Sequence, residues 1–191
     1  MLDAITKFDL SVLNYIWDNL RTPFLDEFFS FITKFGNSTS CIIYVIVLIL
    51  ISKKTRKTGI MMGCSLLIGL LLGNLLLKNG IARSRPYDYA GNEFMRDLLF
   101  VHPETSYSFP SGHSLASFEI ATTVFLQNKK IGIPLLVFAA LIAFSRMYIY
   151  VHYPTDVITG ALMGVGIGFL GCFITKKAYE KIGKGNNSNE I

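Results

Sequence analysis

Three short stretches hold residue types that can grip an anion and react with it: KNGIARSRP (78–86), FPSGHS (109–114) and SRMYIYVHYPTD (145–156). In the third, Pro154 suits the first turn of a helix that begins near Tyr153. His152 then lies just outside that helix and Asp156 within its first turn. A carboxylate in that place can reach back and accept the proton of one imidazole nitrogen, which fixes the tautomer and leaves the other nitrogen bare. A bare, oriented imidazole is a nucleophile. Arg146, at the end of the preceding apolar run, offers a planar fork of donors suited to phosphate. Taken alone, the stretch also fits a buried His–Asp pair that closes a helix junction.

The second stretch reads as a helix start, with Ser111 as N-cap and Gly112 letting a ligand come close to the backbone. Such an end is an anion site, and His113 would stand beside it in the first turn. A plain capping turn is the alternative. In the first stretch, Lys78 and Arg85 are seven positions apart, two helical turns or roughly 10 Å, so both can face one anion. Snorkelling of Lys78, Arg83 and Arg85 toward lipid headgroups is the blander account.

The elements that must carry these stretches are greasy. Of 191 residues, 51% are hydrophobic and 16% charged, with a mean hydropathy of +0.45, which excludes an ordinary soluble domain. Residues 35–52, 59–77 and 157–175 are apolar runs without a charge, and 114–128 and 131–145 are nearly as apolar. About 20 such residues cross a bilayer. The expected fold is an all-α, polytopic membrane protein in one domain. Residues 1–22 form an interfacial amphipathic helix, with Ile5, Phe8, Val12, Ile16 and Leu20 on its apolar side and Asp9 among the polar residues elsewhere. That start, with no continuous apolar core or small-residue cleavage site, argues against a cleaved signal peptide. If 24–36 completes a crossing there are six spans with both termini inside, the expected arrangement; if not, there are five and the N-terminus is outside. The outer loop is 79–110, with an amphipathic helical pattern at 93–100, and the tail 183–191 is expected to be disordered.

Net charge is +5, but the cations do not mark a nucleic-acid surface. KKTRK (53–57), Lys129, Lys130 and the lysines from Lys176 onward sit at alternate ends of the apolar runs, so one membrane face receives them and reads as cytoplasmic. Span parity puts all three chemical stretches on the opposite face. Cys41, Cys64 and Cys172 lie inside apolar runs and read as core residues rather than disulfide or metal ligands.

Together the stretches reproduce K-x6-R-P, P-S-G-H and S-R-x5-H-x3-D, and the chain resembles the type 2 phosphatidic acid phosphatase (PAP2) superfamily over residues 59–175. The resemblance implies a metal-independent lipid phosphatase with no cofactor. His152 would attack phosphorus to form a phosphohistidine, oriented by Asp156, and His113 would serve the leaving oxygen and then water. Lys78, Arg85, Arg146, Ser111 and the backbone at Gly112 would hold the phosphoryl oxygens. Concentrated positive charge is the expected device for so slow a hydrolysis. The implied substrates are membrane lipid phosphates or diphosphates such as undecaprenyl diphosphate, phosphatidylglycerol phosphate or phosphatidic acid, taken from the bilayer without an obligatory protein partner. A non-enzymatic lipid-binding or scrambling protein that keeps the signature is the alternative. His102 and Glu104 are read as solvated loop residues.

Overall fold

The computed structural model describes residues 2–89 and 104–187. Helix α1 is Leu2–Leu20 and α2 is Pro23–Ile32, followed by a 3-10 turn, Thr33–Gly36. Helix α3 is Ser38–Ile51; α4 is Lys53–Gly69, continued by π-helical Leu70–Leu77 and a last α-turn, Lys78–Ile81. A 3-10 turn at Pro86–Asp88 precedes α5 (Gly112–Gln127), α6 (Lys129–Tyr148) and α7 (Pro154–Asn187). No strand occurs among the described residues, so the all-α expectation holds. The amphipathic pattern at 93–100 and His102 lie outside the described residues, as do 188–191; the chain is still helical at 183–187, where a disordered tail was expected.

Local chemistry sets the helix starts. Thr22, Asn37, Ser52, Ser111 and Asn128 each accept a backbone N–H of the first turn that follows them. Packing then depends on small residues. A Cβ at Gly160, Gly164 or Gly168 would stand 2.6, 2.4 or 2.8 Å from Ser111 O, Leu115 O or Thr122 Cβ. Repeated at every fourth position, these glycines let α7 press directly on the backbone of α5, as expected where apolar burial gives helices in lipid no drive to associate. Gly171 does the same against Ser65 of α4. Meanwhile Leu50, Leu76 and Leu162 are 73%, 64% and 69% exposed, the surface of a protein whose solvent is hydrocarbon.

Among the described residues, α4 with its extension, α6 and α7 are long and apolar enough to cross a membrane. The pair Pro23–Gly36 and Ser38–Ile51, bent by 55°, makes a fourth candidate as one broken span. Contacts fix which end is which. Thr22 N–H donates to Tyr148 Oη at 3.4 Å and Tyr148 Oη to Asp26 at 2.7 Å, so α2 starts beside the end of α6 that carries Arg146. At the other end, Lys57 Nζ lies 5.4 Å from the Tyr179 ring centroid. Helix α1 thus shares the end of the bundle occupied by the signature residues. Segment 24–36 runs into α3 as the upper part of one bent element, so among the described residues it shares one candidate crossing with α3 and does not form a separate one.

Helix α1 also presents a different face from the one expected. Leu13 and Ile16 pack inward with Tyr87, Tyr148 and Tyr150, and Asp9 is fully buried beside them. Ile5, Phe8 and Tyr15 remain 42%, 63% and 64% exposed, leaving a second apolar side free for lipid.

Candidate active site

Helix α4 does not carry Arg85 on the face of Lys78. It ends at Ile81, and Ala82, at φ 49°, turns the chain back in the left-handed region. The two cations converge all the same, because that turn brings both to one hydroxyl: Lys78 Nζ donates to Ser106 Oγ at 3.4 Å and Arg85 Nη2 to the same atom at 3.1 Å.

The nucleophile's segment is held by the end of α6. Val151 N–H and His152 N–H both donate to Arg146 O, at 3.1 and 3.2 Å. Tyr150 takes φ 60° to make the turn, a costly conformation that the flanking hydrogen bonds sustain. Arg85 Nη1 donates to Val151 O at 2.9 Å and to His152 Nε2 at 3.1 Å. A guanidinium only donates, so Nε2 is the bare nitrogen and the proton is on Nδ1. Burial, then Arg85 and Arg146, hold the His152 imidazole well below its usual pKa, so it is neutral.

Asp156 is behind His152, but not in the direct bond expected. His152 Nδ1 and Asp156 Oδ2 are 3.6 Å apart. Ser108 stands between them, its Oγ 3.4 Å from Nδ1 and donating to Oδ2 at 2.5 Å. Tyr153 N–H donates to the same carboxylate oxygen at 3.1 Å. The orienting path is therefore imidazole, hydroxyl, carboxylate. Ser111 N–H donates to Asp156 O at 3.1 Å, which fastens the start of α5 to the first turn of α7.

Arg146 is buried and donates to Thr33 Oγ1 at 2.7 Å and to Glu104. Arg85 Nη2 donates to the other oxygen of Glu104 at 2.6 Å. The reading of Glu104 as a solvated loop residue is thus corrected: its carboxylate bridges the two arginines of the signature. Burial pushes its pKa up, but Arg146 and Arg85 outweigh that and hold it well below the usual carboxylate range. A cavity of about 370 Å³ adjoins it, lined by Lys78, Glu104, Ser106, Gly112 and His113 among others.

Lys78, Arg85, Arg146 and His152 therefore come together around Glu104 and Ser106, and Gly112 and His113 face the same cavity as Lys78. Ser111 is the exception. It is fully buried, and its hydroxyl accepts from Ser114 Oγ at 2.9 Å in the cap of α5. Gly112 packs close to a polar side chain: a Cβ there would be 3.2 Å from Asn74 Oδ1, which the π-helical stretch brings alongside. Five residues went unread as site residues in the sequence: Asp9, Arg83, Glu104, Ser106 and Ser108. The only signal for them was that polar residues crowd the stretch just before PSGH, and that Arg83 falls within KNGIARSRP.

A sequence model of the PAP2 superfamily matches residues 58–180. The chain is 39% identical to the undecaprenyl-diphosphatase of Sulfolobus acidocaldarius over 73% of its own length and 66% of that protein, just under two thirds. It is 34% identical to phosphatidylglycerophosphatase B of Bacillus subtilis, over 85% of this chain and 79% of the relative. Among solved structures, the PAP2-type phosphatidylglycerolphosphate phosphatase of Bacillus subtilis superposes with a TM-score of 0.74 at 29% identity, covering 91% of this chain and 87% of that one. LpxE of Aquifex aeolicus gives 0.67 at 27% identity, over 85% and 93%. With its three sequence stretches gathered in one basic pocket beside a neutral imidazole, and with this breadth of likeness, the chain belongs to the PAP2 superfamily, in its membrane lipid phosphatase branch.

Proposed function

We propose that the protein hydrolyses the terminal phosphate of a membrane lipid phosphate or diphosphate through a phosphohistidine on His152. One observation carries the reading: a carboxylate, that of Glu104, is already clamped between Arg85 and Arg146 beside the bare Nε2 of His152. The carboxylate stands where an anion belongs, and a phosphoryl group offers the same two guanidinium forks more oxygens and more charge. On binding it displaces Glu104, and Lys78 and the N–H groups at Gly112 complete the cradle. Nε2 then attacks phosphorus while the bond to the leaving oxygen breaks, and His113 supplies the proton that oxygen needs. In the second half, His113 takes a proton from water as it attacks the phosphohistidine, releasing inorganic phosphate and restoring Nε2. Asp156 and Ser108 keep the proton on Nδ1 throughout. This sequence of steps asks no metal of these residues.

The relatives named above direct the choice of substrate toward undecaprenyl diphosphate or phosphatidylglycerol phosphate. We place the site on the extracytoplasmic side, with five crossings and α1 lying in the same leaflet. Lys53, Lys54, Lys57, Lys129 and Lys130 collect at the opposite end, the side that retains lysine and arginine. The arginines at the site's end have another reason to be there, since Arg83, Arg85 and Arg146 are engaged by carboxylates.

The test is phosphate release from a panel of detergent-solubilised lipid phosphates in excess chelator. Wild type should release phosphate and His152→Ala should not. Lipid binding without phosphate release would favour the non-enzymatic alternative, and activity lost to the chelator would remove the metal-free route.

A further inference from the structure

We propose that Asp9, on the amino-terminal helix, is a positioning residue for the His152–Asp156 pair and acts through Arg83. This rests on the phosphatase reading above. Asp9 lies outside the segment matched by the family, and none of the signature stretches includes it.

Asp156 divides its two oxygens. Oδ2 takes Ser108 and the Tyr153 N–H; Oδ1 takes Arg83 Nη1 at 2.6 Å. The other arm of the same guanidinium, Nη2, donates to Asp9 Oδ2 at 2.7 Å. Asp9 also accepts from Thr155 Oγ1 at 2.5 Å and Thr155 N–H at 3.2 Å, directly beside Asp156. Both carboxylates are fully buried, and the guanidinium carbon lies 3.8 Å from the centroid of the Tyr153 ring. A planar fork fixed at both ends cannot turn, so Asp156 is locked with Oδ2 aimed at Ser108.

Charge gives the second reason. One arginine on one carboxylate would cancel the negative charge that His152 needs behind it. Attack through Nε2 leaves the phosphorylated ring cationic, and Asp156 must balance that charge. Asp9 shares Arg83, so the triple Asp9–Arg83–Asp156 keeps one net negative charge. A helix tether alone would not need a carboxylate on this particular arginine: Tyr150 Oη already donates to Asn14 of α1 at 2.6 Å.

The experiment uses the full chain in detergent, with a lipid phosphate that the wild type hydrolyses and inorganic phosphate as the probe of the anion pocket. Asp9→Asn should lower kcat about 10- to 100-fold, the range seen when a partner that orients a metal-binding side chain is removed. KM and the inhibition constant of inorganic phosphate should not move, because Lys78, Arg85 and Arg146 are untouched. Asp9→Glu should recover part of the loss, and Asp9→Asn should cost nothing further in an Arg83→Gln background. Asn14→Ala, which loosens α1 but keeps Asp9, should lower kcat clearly less than Asp9→Asn. A wild-type kcat in Asp9→Asn would overturn the proposal, as would loss of phosphate inhibition in parallel with kcat, or an equal loss in Asn14→Ala. In each of those cases an active wild type and an inactive His152→Ala leave the phosphatase reading standing. A wild type that releases no phosphate overturns both.

Discussion

Glu104 and Asp156 are both carboxylates held by arginines, yet in the proposed mechanism one leaves and the other stays. Glu104 comes from the connection before α5, its side chain is 30% exposed, and among the described residues it is the carboxylate that pairs with Arg85 and Arg146. Asp156 is in the first turn of α7, fully buried, with Ser108, Tyr153 and Arg83 all bonded to it. The difference shows how one pocket can hold two carboxylates without confusing their roles. An anion that must be exchanged is put on a loop at the cavity wall, whereas an anion that must stay is put on a packed helix and bonded at both oxygens.

The comparison breaks most readily at its fixed side. Asp156→Asn keeps the shape but reverses the hydrogen-bonding sense toward Ser108, and kcat should fall by about 10⁴, the scale seen when an orienting carboxylate is neutralised. A fall of less than about tenfold, measured by phosphate release, would mean that Ser108 suffices alone. At the exchangeable side, Arg146→Ala removes a clamp on the developing charge and should lower kcat about 100- to 1000-fold. It should also abolish inhibition by inorganic phosphate, which Asp156→Asn should leave intact.

A smaller effect sharpens the contrast. Glu104→Gln removes the resident anion, so inorganic phosphate should inhibit about threefold to tenfold more strongly, up to about 1.4 kcal/mol. The pH profile gives a second readout. Catalysis needs neutral His152, whose pKa is lowered by burial and by Arg85, Arg146 and Lys78, and raised by Glu104. The acid limb of kcat/KM should therefore lie below the ordinary imidazole value of about 6.5. Without Glu104 nothing offsets the cations as strongly, so that limb should move further toward acid. Movement toward neutral pH would contradict the placement of Glu104. The smallest effect is that of salt. Between 0.1 and 1 M the screening length falls from about 10 to 3 Å. Phosphate must enter through the cavity beside Glu104, whose side chain is 30% exposed, so its inhibition should weaken severalfold while kcat at saturating lipid stays level, since the carboxylates of Asp9 and Asp156 are fully buried.

The sequence was most readable where local rules decide. Capping at Ser111 and Pro154 in the first turn of α7 both appear where residue type and spacing put them. Span parity correctly brought KNGIARSRP, PSGH and SRMYIYVHYPTD to one end. It was least readable in the turns. Periodicity placed Lys78 and Arg85 on one helical face, but Ala82 ends the helix first, and an alanine in the left-handed region has no sequence mark. Asp9 was read as a surface residue because its helix was judged alone, without the neighbour that covers it.

By itself, then, the order of residues determined an all-helical membrane protein, the ends at which its charges gather, and the imidazole, lysine and arginines of the pocket. Those follow from what hydrocarbon excludes and from how helices begin, which act within a few residues. Only the tertiary structure decided that Ser108 mediates between His152 and Asp156, that Glu104 fills the anion's place, and that Asp9 reaches Arg83. Each of these pairs residues across turns or between elements far apart in the chain, where direction depends on how the helices dock and no local pattern records it.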